Sequence, residues 1–254
     1  VVMLNSRMKR GIPKNNIEAK YYTEMSKLAA DILAKHMNNT EKPVLGLATG
    51  STPIGLYEEL VNRHKKNELS FINVTTFNLD EYVGISKSDP NSYYYFMNDN
   101  LWKHIDIDLS KVNIPDGMAK DLQEECVQYE DRIAKQSIDI QILGIGLNGH
   151  IGFNEPGTSF DSRTHIVELD ESTREANSRF FNSLDEVPNQ AITMGIETIM
   201  QAERIILLVS GKQKAATLAR LINNEDVTPD FPASVLRNHK DVTIIADEDA
   251  RENL

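Results

Sequence analysis

Five apolar blocks, set too far apart for hairpins, constrain this chain more than any other feature: PVLGLA (43–48), VTTFNL (74–79), DIQILGIG (139–146), RIILLVS (204–210) and DVTIIA (241–246). Each is continuously apolar and bounded by turn residues, the pattern of strands buried on both faces. Between them lie helical patterns: AKYYTEMSKLAADILAKHM, PIGLYEELVNRHKK, NSYYYFMNDNLWKHI, DLQEECVQYEDRIAKQ, PNQAITMGIETIMQAE and KQKAATLARLINN. Strands alternating with helices specify an α/β fold, a Rossmann-like, mostly parallel sheet with helices on both faces. No Gly/Ser-rich linker, repeat or low-complexity tract interrupts residues 1–254, so a single domain is expected.

Ligands in such folds bind beyond the carboxyl ends of the strands. That is where the unusual residues fall. LATGSTP follows the first block, NLDEYVG the second, GIGLNGHIGFNEP the third and SGKQKA the fourth, so all four segments should share one rim.

Charge narrows what the rim can bind. With 27 basic against 38 acidic residues the net charge is −11, which repels nucleic acid and anionic membrane surfaces. An anionic ligand would need a site built locally from backbone N–H groups and a few convergent cations. Cys126 is the one cysteine and reads as a small core residue on a helix; no intrachain disulfide can form, and a cytoplasmic enzyme is expected. No run of about 18 apolar residues occurs, so no membrane span is expected. The opening VVMLNSRMKRGIPKNN, with a second Met at position 8, has basic residues but no apolar run behind them and specifies no element.

The turn Thr49-Gly50-Ser51-Thr52-Pro53 joins a strand to a helix, with Gly50 allowing close backbone approach and Pro53 suited to the first helical turn. Free N–H groups at such a helix start face an anion. The turn lacks the Lys of a Walker loop, and G-x-G-x-x-G is absent, so nucleotide and dinucleotide cofactors are not expected. Ordinary helix capping by Ser and Thr is the competing reading.

In Thr76-Phe77-Asn78-Leu79-Asp80-Glu81-Tyr82 two adjacent acids close a buried strand, and alternation lets one face the cleft while its neighbour points away. A carboxylate against apolar walls is raised in pKa and becomes a useful general base. A solvated loop pair is the alternative.

The third segment is the most specific. Gly144, Gly146 and Gly149 keep the backbone open around Asn148 and His150, and Glu155 follows in an Asn-Glu-Pro turn. Histidine titrates near neutrality, and a neighbouring carboxylate or amide oxygen can set its tautomer. Asn148, His150 and Glu155 form such an orienting set. Metal binding is disfavoured, because His36, His64, His104, His165 and His239 form no H-E-x-x-H pair and one cysteine cannot build a zinc cluster. At the fourth segment, Lys212 and Lys214 stand at a helix start, while STREANSRFF supplies Arg174 and Arg179. Together these are candidates for a phosphate clamp.

Taken jointly, TGSTP, FNLDEYVG, NSYYYFM, LGIGLNGHIGFNEPG and TREANSRFF resemble the glucosamine-6-phosphate deaminases (glucosamine-6-phosphate isomerases). The resemblance implies a phosphorylated amino sugar as substrate and conversion of glucosamine 6-phosphate to fructose 6-phosphate and ammonia, without nucleotide or metal. It implies Asp80 as the base that takes the C2 proton. It implies ring opening by His150, supported by Glu155 and Asn148. Phosphate contacts would come from Thr49, Gly50, Ser51, Thr52, Arg179 and Lys214. Many members carry Asp where this chain has Asn148. Hexameric members activated by N-acetylglucosamine 6-phosphate carry basic residues shortly after the NEP turn, where this chain has His165 and Val167, so such activation is not expected. A homo-oligomer and a monomer both stay open. A 6-phosphogluconolactonase shares the fold and a similar loop, but FNEP and LDEY argue against one; a sugar-phosphate-sensing regulator would need a DNA-binding helix-turn-helix that is absent. Residues 82–102 and 157–180, rich in Tyr, Ser and Asn, are the expected cover of the site.

Overall fold

Strands buried on both faces form where the sequence is continuously apolar, and the computed structural model describes them within residues 15–178 and 181–254. In chain order the first half runs β1 (Asn15–Glu18), α1 (Tyr22–Asn38), β2 (Val44–Leu47), α2 (Ile54–Lys65), β3 (Thr75–Asn78), β4 (Asp80–Tyr82), α3 (Tyr93–Asn100), β5 (Val112–Asn113), α4 (Leu122–Gln136) and β6 (Ile140–Leu143). The second half runs β7 (His165–Glu168), α5 (Glu171–Asn177), β8 (Gln190–Thr193), α6 (Ile196–Met200), β9 (Arg204–Val209), α7 (Ala215–Asn223) and β10 (Val242–Ala246).

The main sheet has seven parallel strands in the order β1-β10-β9-β6-β2-β3-β5. Every residue of β2, β6 and β10 is buried, as expected for strands covered on both faces. The chain runs outward from the β2/β6 boundary in both directions. Right-handed crossovers therefore place helices on opposite faces, and the loops leaving β2 and β6 diverge into a crevice. On α1, Met25, Ala29, Leu33 and Met37 recur at helical spacing and enter the core, where each fully buried Leu or Met side chain contributes roughly 1.5–3 kcal/mol.

Four features depart from the sequence expectation. The strand read through residue 79 ends at Asn78, and Asp80–Tyr82 pairs instead with β8 in a second, antiparallel sheet ordered β4-β8-β7. PNQAITMGIETIMQAE, read as one helix, is β8 followed by the five-residue α6, because the buried Ala191, Ile192 and Thr193 are paired on both sides by β4 and β7. Cross-strand pairing overrides the helical spacing there. Residues 157–180, read only as a cover, contain β7 and α5. The opening segment's last two residues, Asn15 and Asn16, begin strand Asn15–Glu18, which extends the main sheet beside β10. Cys126 is buried on α4, as expected. Among the described residues no helix is long and apolar enough to cross a membrane.

Candidate active site

The crevice at the β2/β6 boundary opens into a cleft of about 590 Å³. Thr49, Gly50, Ser51, Thr52, Asp80, Asn148, His150, Glu155 and Lys214 all line it. Arg179 lies outside the described residues.

The turn after β2 is braced from below by two phenols. Tyr57 Oη accepts from the N–H of Ala48 at 3.1 Å and donates to the same residue's carbonyl. Tyr22 Oη lies 3.0 Å and 2.9 Å from the carbonyls of Ser51 and Thr52 and accepts from the Gly55 N–H at 2.8 Å. With its carbonyls engaged from outside, the turn offers its helix-start N–H groups to the cleft. Across the cleft, Lys214 donates to the Ile145 carbonyl at 2.5 Å, and burial holds its ammonium below the usual lysine range. A cation and a helix start thus line one cleft in a chain whose net charge is −11.

Asp80 sits where the chain leaves the parallel sheet for the antiparallel one, opposite Thr193. It is 7% exposed. Burial, helped by the neighbouring Glu81 carboxylate, pushes its pKa up to about 8. Glu81 points the other way and accepts N–H bonds from Tyr82, Tyr93 and Tyr94, each at 2.9 Å. Of the two adjacent acids, Asp80 faces the cleft and Glu81 caps α3. Tyr93 opens that helix, and its ring stacks on Phe153 at 6.2 Å and 8° to wall the cleft beside Asp80.

In the loop after β6 the three polar side chains form one chain of hydrogen bonds. Asn148 Nδ2 donates to Glu155 Oε2 at 2.7 Å, which turns Oδ1 toward His150. That oxygen accepts from the His150 backbone N–H at 3.1 Å and lies 2.8 Å from Nδ1. An amide oxygen only accepts, so Nδ1 carries the proton and Nε2 keeps its lone pair. Burial lowers the pKa of His150; Glu155, whose Oε1 is 3.6 Å from Nδ1, opposes the shift and Lys214 adds to it. The outcome is a neutral imidazole with a free Nε2.

Glycine is required beside that ring. A Cβ on Gly146 would lie 2.0 Å from His150 Cε1. Gly149, at φ +87°, turns the chain through the Gly149 N–H to Gly146 carbonyl bond of 3.0 Å. The loop's far end is fastened to the second sheet: Thr193 Oγ1 accepts from the Phe153 N–H at 3.1 Å, and Asn154 Nδ2 donates to the carbonyls of Ile151 and Met194, both at 2.9 Å.

Sequence reasoning missed Tyr93, Phe153, Asn154 and Thr193. Asn154 stood in plain view in the NEP turn; Thr193 was hidden because its segment read as helix. Of the expected cover, residues 82–102 contribute Tyr93 to the cleft, and residues 157–180 contribute Asp170, Ser172 and Thr173 around the start of α5. Chemically, the cleft offers a carboxyl that exchanges a proton near neutrality, an imidazole with its pKa lowered by burial, and a cation together with a helix start.

Residues 17–245 match the family model described as glucosamine-6-phosphate isomerases/6-phosphogluconolactonase. A protein of Oceanobacillus iheyensis named glucosamine-6-phosphate deaminase is 56% identical over 94% of this chain and 95% of its own length. A solved structure described as a monomeric glucosamine-6-phosphate deaminase superposes with a TM-score of 0.91 at 50% identity, covering 95% of this chain and all of that one. The 6-phosphogluconolactonase of Thermotoga maritima superposes with a TM-score of 0.72 at 20% identity, over 91% of this chain and 98% of that one, which shows a shared fold.

Proposed function

The chain belongs to the glucosamine-6-phosphate isomerase/6-phosphogluconolactonase family, and we propose that it works as a deaminase, converting glucosamine 6-phosphate and water to fructose 6-phosphate and ammonia. The observation that carries this reading is one cleft holding both a carboxyl poised near neutrality, Asp80, and an imidazole with a free Nε2, His150. A lactone hydrolase removes no C–H proton, whereas the deaminase needs a desolvated carboxyl to take one.

The cyclic sugar has no acidic C–H, so the ring must open first. His150 Nε2 takes the proton of the anomeric hydroxyl and returns one to the ring oxygen, breaking the bond from C1 to that oxygen and forming the C1 aldehyde. Burial keeps His150 neutral for the first half of this exchange, and the Glu155 charge, relayed through Asn148, steadies the imidazolium formed in between. The aldehyde makes the C2 hydrogen acidic. Asp80 removes it while the C2 ammonium gives a proton to the aldehyde oxygen, leaving a C1–C2 enolamine, and the same carboxyl returns its proton to C1 as the nitrogen lone pair forms the C2 iminium. Water adds to C2, the C–N bond breaks, and ammonia leaves with the C2 ketone in place. No electrons are gained or lost overall.

The phosphate is held by the N–H groups of the Gly50 to Thr52 turn and by Lys214, with Arg179 as a further cation of this reading. The substrate is a small metabolite in cytoplasmic amino sugar breakdown, and one domain suffices to bind it. Ammonia release from glucosamine 6-phosphate, run beside hydrolysis of 6-phosphogluconolactone, tests the assignment. Ammonia without lactone turnover is the expected result; the reverse overturns it.

A further inference from the structure

Glu81 is 4% exposed and lies one residue from Asp80, yet its carboxylate takes no part in the chemistry above. Its oxygens are almost fully used. Oε1 accepts from the N–H groups of Tyr82 and Tyr93, and Oε2 from that of Tyr94. Two of these donors belong to the first turn of α3, where N–H groups have no partner inside the helix; Ser92 Oγ takes the next one, from Tyr95, at 3.1 Å. One buried side chain thus joins the strand that carries the base to the helix that carries the Tyr93 wall. Resting on the reading of Asp80 as the base, we infer that Glu81 is its positioning residue, fixing Asp80 and Tyr93 relative to one another by tying β4 to the start of α3.

Charge follows from the same geometry. Burial raises the Glu81 carboxyl above its usual range, but three N–H donors oppose that rise, whereas burial and the like charge of Glu81 both raise Asp80. Glu81 is therefore the better anion of the pair, and Asp80 is the carboxyl that can take up and return a proton near neutrality. The ionisable groups facing the pair are Tyr82 on β4, Lys87 ahead of α3, Tyr93 and Tyr94 on α3, Tyr129 and Arg132 on α4, and Asp116 ahead of α4. His150, Glu155 and Lys214 stand across the cleft. Burial raises the phenols of Tyr82, Tyr93 and Tyr129, so they stay neutral at working pH. A helix cap of ordinary kind would contribute stability and nothing to the titration of Asp80.

The test compares Glu81→Gln, Glu81→Asp, Ser92→Ala and Asp80→Asn in the full chain, following kcat and kcat/KM for ammonia release against pH. Glu81→Gln removes the charge and one acceptor; the acid limb of kcat/KM is expected to fall by roughly one pH unit as the like charge beside the base disappears, with kcat down at least about tenfold. Glu81→Asp keeps the charge but shortens the reach, so kcat falls while the limb stays. Ser92→Ala lowers Tm without moving the limb. An unmoved limb and unchanged kcat in Glu81→Gln overturn the inference; if that variant does not fold, wild-type kcat in Glu81→Asp does so. Activity retained in Asp80→Asn overturns instead the reading of Asp80 as the base.

Discussion

Replacing Asn148 by Asp probes the most finely set part of the site. The amide performs two jobs: its Nδ2 donates to Glu155 at 2.7 Å and its Oδ1 meets His150 Nδ1 at 2.8 Å. A carboxylate can do the second job but not the first. It adds a negative charge beside the imidazole, where two unit charges about 4 Å apart interact by roughly 4 kcal/mol at an effective dielectric near 20. The His150 side chain is 35% exposed and Glu155 already stands 3.6 Å away, so solvent and the existing charge reduce this. A rise of roughly one to two pH units in the His150 pKa remains. The lost Glu155 bond and the new carboxylate pair cost about 1–2 kcal/mol, a fall of roughly 2–8 °C in Tm for a chain of this size. His150 must be neutral to accept the anomeric proton, so the upward shift lowers the active fraction at neutral pH. With Asp80 titrating near 8, the rate profile alone would mask the change. NMR titration of the His150 ring reads it directly. A His150 titration at its wild-type position would refute the hydrogen-bond relay.

Gly146→Ala places a Cβ 2.0 Å from the His150 ring and should reduce kcat by about a hundredfold through ring displacement, at little cost to overall folding as followed by circular dichroism. Lys214→Met removes the cation of the anion pocket; KM should rise at least about tenfold, and inorganic phosphate should lose its competitive inhibition. Tyr22→Phe deletes the hydroxyl that braces the turn at Ser51, Thr52 and Gly55. It should lower stability by about 1–2 kcal/mol in urea unfolding and raise KM more than it lowers kcat.

The main sheet was legible because each of its core strands is a continuous apolar run, and burial on both faces leaves that signature whatever the strand touches. The antiparallel sheet was not, because β4 and β8 are short and their identity depends on each other: Asp80–Tyr82 is a strand only once Gln190–Thr193 lies beside it. The cleft was legible for the same reason as the sheet, since rim segments follow strands whose order reverses at β2 and β6. The division of labour between Asp80 and Glu81 was foreseen in form, one facing in and one away. That Glu81 would cap α3 depended on where Tyr93 and Tyr94 come to rest, which local pattern does not contain. The sequence allows Asn148 to orient His150 through its oxygen; that oxygen lies 2.8 Å from Nδ1, and the bond from Nδ2 to Glu155 turns it that way.

The central claim is that Asp80 removes the C2 proton while His150 only opens the ring. The measurement that bears on it most directly is ammonia release by Asp80→Asn at saturating glucosamine 6-phosphate, near pH 8. The account predicts a fall in kcat of about 10³-fold or more with KM within a few-fold of wild type, since an amide cannot accept the proton and the anion pocket is untouched. A variant that retained a tenth or more of wild-type kcat would contradict it.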